Sequence, residues 1–218
     1  FLKKNPFETT LIRAERVAEG SQKGSLSLAQ LHAMIDANER IKYDTRNRNL
    51  LKTRNALLLK FLYLTAARRS EAANLKWEDL HQDGEFQVVI LQQTKSGEPQ
   101  KLKLRRELFE ELECWNETLK TNQIECEWVF PSLSFRTLGG KMSGKGVNDV
   151  VSKLGSAIGL KISAHYLRHT AITLALELGE PLQKVQSYAR HASANTTIRY
   201  FHDQQFLEKN PTDRLPMI

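Results

Sequence analysis

The sequence predicts an α+β fold, mainly α-helical, with one small antiparallel β-sheet. Three observations lead there. Apolar residues recur at helical spacing in segments between 27 and 75, over 106–119, and between 145 and 178. Residues 84–104 change character: Phe86-Gln87-Val88-Val89-Ile90-Leu91 reads as a strand, and Leu102 and Leu104 alternate with Lys101 and Lys103. The 218 residues, 40% hydrophobic and 26% charged, are enough for one large cored domain.

The elements follow in order. Residues 1–25 read as a linker, with Asn5-Pro6 and the polar run Gly20-Ser21-Gln22-Lys23-Gly24-Ser25. Because the chain starts at Phe1, we expect a piece of a longer protein. Ser27 opens a helix, with Gln30 three residues later as a capping-box partner and Leu28, Leu31, Met34 and Ile35 as its apolar stripe. A second helix is expected from Asp44 to Thr65 and a short third from Ser70 to Leu75, after a turn at Ala66 to Arg69. Thr94-Lys95-Ser96-Gly97-Glu98-Pro99 is turn chemistry that closes the hairpin.

Helices then fill 106–119, 145–158 and 164–178. The last of these has Ala171, Ile172, Leu174, Ala175 and Leu178 on its buried side and stops at Gly179. Pro181 suits the first turn of the next helix. A final short helix should carry Tyr200, and a polar tail, 203–218, follows.

The formal charge of +7 favours a polyanionic partner. Cys114 and Cys126 are too few for a disulfide framework and lack metal spacing, which suggests reduced thiols in the cytoplasm. The longest apolar stretch, Ala56 to Ala67, is broken by Lys60 and is too short to span a membrane.

The chemistry concentrates near the C-terminus. His165, Arg168 and His169 share one face of a helix start, where unpaired N–H groups add positive potential and favour an anion. The bland alternative is a solvated basic helix end. A zinc site on His165 and His169 lacks the Glu that a zinc peptidase carries beside its first His: Tyr166 stands there. Arg68, followed by Glu71, supplies a second guanidinium, and two guanidiniums can clamp one phosphate. Lys95 at a hairpin tip can protonate a leaving oxygen. Tyr200 is a hydroxyl nucleophile that needs nearby cations to attack at neutral pH. Taken singly, a turn lysine is usually just exposed and a tyrosine usually packed.

Set together, these boxes resemble the tyrosine recombinase (phage integrase) family over Ser27 to His202. The first arginine box runs from Thr65 to Trp77, with Asp79 also fitting. The lysine turn is Thr94-Lys95-Ser96-Gly97, and His165 to His169 match the H-x-L-R-H box. His191 precedes Tyr200 by nine residues, as the family pattern asks. Two positions depart from it: Ala66 and Arg190 stand where Gly is usual. Arg190 is expected to alter the turn or add a phosphate contact.

The resemblance implies a catalytic domain over 26–202 and a tail over 203–218 that docks on another protomer. It implies a homotetramer on double-stranded DNA, with no cofactor and no metal. Tyr200 would attack the scissile phosphate, Arg68 and Arg168 would hold it, and Lys95 would protonate the leaving 5′-oxygen. His165 would assist proton transfer, His169 and His191 would support phosphate binding, and Glu71 would orient the first arginine. A type IB topoisomerase shares this chemistry, and a DNA-binding regulator with a silent site or a basic structural protein are the alternatives from other classes.

Overall fold

Helix α1 (Leu28–Arg40) starts where its cap allows. Ser27 Oγ accepts from the Gln30 amide at 3.2 Å, and Gln30 Oε1 accepts from the Ser27 amide at 2.8 Å. Such a box contributes about 1 kcal/mol. Just before it, the Leu26 amide donates to Thr170 Oγ1 at 2.8 Å, which ties this end of the chain to a helix far along the sequence. The computed structural model describes residues 25–92, 98–191 and 194–198. The expected linker up to residue 24, Lys95, Tyr200 and the tail lie outside the described residues.

Helix α2 (Arg48–Thr65) is the axis of the core. Leu57, Leu58, Leu59, Phe61 and Leu62 are all at most 4% exposed. Burying each such side chain contributes about 1.5–3 kcal/mol. The helix begins four residues later than the sequence suggests. Asn47 does not cap it; its side-chain Nδ2 donates instead to the Leu133 carbonyl at 3.3 Å. Inside the helix, buried Arg54 donates to Asn55 Oδ1 and to the Pro131 carbonyl, and desolvation pulls its pKa down to about 10.

The chain leaves α2 through Ala66, whose φ of 47° is left-handed, and enters the short α3 (Arg69–Ala73). Three strands follow: β1 (Leu80–Asp83), β2 (Phe86–Leu91) and β3 (Gln100–Lys103). They pair antiparallel in the order β1-β2-β3. Strand β1 was not expected. Its signal is Gly84 (φ 59°), which opens the two-residue turn between paired Asp83 and Phe86. Val88, Val89 and Leu91 of β2 are buried, as a central strand requires.

Helix α4 (Arg106–Thr121) buries Leu108, Leu112, Trp115 and Leu119, and Trp115 Nε1 donates to the Val129 carbonyl at 2.8 Å. Helices α5 (Gly144–Ser156), α6 (Ala164–Glu177), α7 (Leu182–Ala189) and α8 (Ala194–Ile198) complete the described fold. Helix α6 packs against both α2 and α7, and α3 lies on α5. Two expected core residues face solvent instead: Leu28 is 52% exposed at the first turn of α1, and Leu178 is 76% exposed where α6 ends.

Gly155 brings α5 close to the segment that leads into α6. A Cβ there would run into the Ile162 side chain and stand 3.0 Å from the Leu160 carbonyl oxygen. Gly155→Ala should therefore destabilise the protein by about 1–3 kcal/mol, despite alanine's better helix propensity. Urea denaturation measures this, and an unchanged midpoint would contradict the packing argument.

Candidate active site

Arg68 sits at the N-cap of α3, between two helices. Glu71 holds it twice: Oε2 accepts from the Arg68 amide at 2.7 Å, and Oε1 accepts from Arg68 Nη1 at 2.6 Å. Arg68 Nη2 also donates to the Arg190 carbonyl at 3.2 Å. The Glu71 side chain is fully buried, while that of Arg68 is 25% exposed. A buried carboxylate is stable there only because it is paired. Both bonds hold Arg68 against the start of α3.

Arg168 lies one turn into α6 and is 3% exposed. Its Nη1 donates to the Ala66 carbonyl at 2.6 Å and its Nη2 to the Ala189 carbonyl. These bonds fix the plane of the guanidinium between the ends of α2 and α7. The start of α6 is capped from outside: Ser163 makes no side-chain cap, and the Ala164 amide donates to Asn148 Oδ1 of α5 at 3.1 Å. Ser152 supports this joint by donating to the Ile162 carbonyl at 2.8 Å.

A cleft of about 450 Å³ opens between these elements. Arg68, Arg69, Asn148, Ser163, His165 and Arg168 line it, together with Ala67, Ser70 and Ala164. Arg68, Arg168 and His165 thus converge. Asn148 and Ser163 are lining residues that no sequence box singled out.

His165 opens to solvent at the cleft, and desolvation, Arg168 and Arg68 all lower its pKa. His191 is pushed down to about 4 by desolvation, then by the charges of Arg168, Arg68, Arg190 and His165. Its Nδ1 lies 2.9 Å from Thr197 Oγ1 of α8. His169 is not among the residues that line the cleft; its Nδ1 pairs with Thr173 Oγ1 at 3.2 Å, one turn along α6. Lys95 and Tyr200 fall outside the described residues.

Arg190 bears on the turn that ends α7 and is not among the residues that line the cleft. The residue is left-handed (φ 54°), as a Gly position would be. Its guanidinium, however, turns inward rather than toward a ligand, and its side chain is 2% exposed.

Comparison with known proteins agrees with this geometry. Residues 25–206 match the phage integrase family. Tyrosine recombinase XerA of Pyrococcus horikoshii is 33% identical over 147 residues, covering 67% of this chain and 50% of the relative. A tyrosine recombinase of Synechococcus elongatus is 31% identical over 173 residues, covering 78% and 53%. The chain therefore spans about half the length of these relatives. In fold it is similar to XerH site-specific recombinase in a post-cleavage complex with its difH substrate, with a TM-score of 0.69 and 22% identity over 89% of this chain and 54% of that one. The XerA recombinase crystal structure gives 0.67 and 21%, over 92% and 66%. With four residue boxes in order and a family match over most of its length, the chain belongs to the phage integrase family, the tyrosine recombinases.

Proposed function

We propose that this chain is the catalytic part of a site-specific DNA recombinase that cuts and rejoins strands through a 3′-phosphotyrosyl intermediate. The observation that carries this reading is the convergence of Arg68, Arg168 and His165 on one cleft. Two fixed guanidiniums suit the non-bridging oxygens of a phosphodiester and the charge that grows on them in a pentacoordinate transition state.

In this reading Tyr200 Oη attacks phosphorus as the P–O5′ bond breaks. His165 accepts the phenolic proton, and Lys95 donates one to the departing 5′-oxygen. The P–O5′ ester is exchanged for a P–O(Tyr) ester and the phosphate stays a diester, so a 5′-hydroxyl can reverse the step without an external energy source. His191 and His169 support the phosphate-binding frame. The substrate is a duplex recombination site, as the relatives' names and the +7 charge support. The acting unit is a homotetramer on DNA, serving a mobile element or phage. Among the described residues no helix is long and apolar enough to cross a membrane.

Covalent trapping tests the nucleophile. The wild type should form an SDS-resistant adduct with a nicked suicide duplex, and Tyr200→Phe should form none. An adduct with the Phe variant would overturn the assignment. DNA affinity should also fall steeply as salt rises, because phosphate contacts release counterions; a flat response would argue against a backbone-held duplex.

The histidine environment makes a pH prediction. The folded pKa of His191, about 4, lies below its ordinary 6.5, so the unfolded chain binds more protons in between. The stability contributed by the neutral ring is fully present above pH 6.5 and declines as pH falls toward 4. Unfolding free energies measured across that window should show this slope, and His191→Asn should flatten it. An equal slope in the variant would place the pH dependence elsewhere.

A further inference from the structure

Arg190 stands where the family pattern usually has Gly, and it accepts the backbone cost of a left-handed residue with a long side chain. That side chain has a dense set of partners. Nη1 donates to the Thr65 carbonyl at 3.1 Å and to the Tyr188 carbonyl at 3.0 Å. Nη2 donates to the Ala66 carbonyl at 2.8 Å and to Glu71 Oε2 at 3.0 Å. The backbone carbonyl of the same residue accepts from Arg68 Nη2. One residue therefore touches the last carbonyls of α2, the carboxylate that holds Arg68, and Arg68 itself.

The Glu71 carboxylate is shared as a result. Oε1 serves Arg68, while Oε2 serves both the Arg68 amide and Arg190. The Ala66 carbonyl is shared in the same way, between Arg168 and Arg190. Arg190 is thus the bridge that relates the two cleft arginines to one another. His191 follows it directly, so the conformation at 190 also sets where the imidazole stands.

We infer that Arg190 is a positioning residue of the cleavage site: its buried guanidinium locks the Arg68–Glu71 pair, the Ala66 turn and His191 into one frame. This rests on the phosphate-binding roles proposed above for Arg68 and Arg168. Arg190 is not among the residues that line the cleft. It acts through the residues that do, and it does so in this chain with a side chain that Gly cannot supply.

The test compares Arg190→Met, Arg190→Lys and Arg190→Gly in the 218-residue chain. Met keeps length and left-handed strain but removes the charge and the donors. Gly relieves the strain and also removes them. Lys keeps the ion pair with Glu71 but cannot form the planar fork. Single-turnover formation of the phosphotyrosyl adduct should slow about 10- to 100-fold in Met and Gly, the scale of a small misplacement of reacting groups. DNA affinity should hold, and Lys should fall between these variants and the wild type.

A second readout needs no DNA. Arg168, Arg68, Arg190 and His165 all charge the surroundings of His191. In an NMR titration, the His191 ring should titrate at higher pH in Met and Gly than in the wild type, and close to the wild type in Lys. Absence of any adduct in the wild type would sink the recombinase reading alone, since the titration still reports on Arg190. Wild-type cleavage rates in Met and Gly, or an unshifted titration in both, would overturn the inference. So would losses of rate, affinity and melting temperature in equal step across all three variants, which would mark Arg190 as a general fold contact. If Met fails to fold, Gly and Lys still decide the question.

Discussion

The arrangement of the cleft depends on one carbonyl group. Ala66 ends α2 in the left-handed region, which turns its oxygen away from the helix axis and into the space between α6 and α7. There it accepts from Arg168 Nη1 at 2.6 Å and Arg190 Nη2 at 2.8 Å. A left-handed alanine costs about 1–2 kcal/mol. Two charge-assisted hydrogen bonds of about 1.5–3 kcal/mol each offset that cost. A side chain larger than alanine would also have to fit where Ala66 is fully buried.

That carbonyl also solves an electrostatic problem. Two guanidiniums, those of Arg68 and Arg190, pair with the single carboxylate of Glu71, and a third, that of Arg168, shares the Ala66 carbonyl with Arg190. Backbone oxygens take up part of the excess, at Thr65, Ala66, Tyr188, Ala189 and Arg190. They orient the cations without cancelling their net charge. Desolvation first, and the surplus positive charge second, make His165 at the cleft and His191 after α7 resist protonation. In the proposed reaction, a phosphodiester entering the cleft would meet donors that are already fixed, with a neutral His165 beside them.

Local chemistry made much of this legible. Ser27 and Gln30 specify the start of α1 through contacts three residues apart, and Phe86 to Leu91 specify β2 through composition alone. Arg68, His165 and Arg168 were recognisable because their boxes retain order and spacing, and the cleft unites them. Other features depend on partners distant in sequence. The start of α2 shifts because Asn47 turns toward Leu133. Leu178 looked like a core residue by periodicity, but α6 ends at Glu177 and no described residue buries it. The strand β1 had a usable sign in Gly84, whereas Asn148 as the cap of α6 had none. The inward turn of Arg190 was equally hidden, since its partners Thr65, Ala66 and Glu71 come from the other half of the chain.

The same contacts tie the helix ends to the segment that precedes Tyr200, the proposed nucleophile, in sequence. Tyr188 donates to the Leu64 carbonyl at 3.1 Å, so α7 is fastened to the end of α2 beside the Ala66 turn. One residue beyond α7, the conformation of Arg190 directs His191, and His191 Nδ1 meets Thr197 Oγ1, a side chain of α8 that is fully buried. The path from the first arginine box to α8 therefore runs through short, directional bonds between rigid elements. A loose hinge at 190 would let α8 drift without disturbing the core of α2 and α4. A left-handed arginine anchored by four hydrogen bonds does not permit that drift. The two cleft arginines and the helix nearest Tyr200 in sequence are thus held by one frame, and the in-line attack on a clamped phosphate proposed above demands that kind of precision.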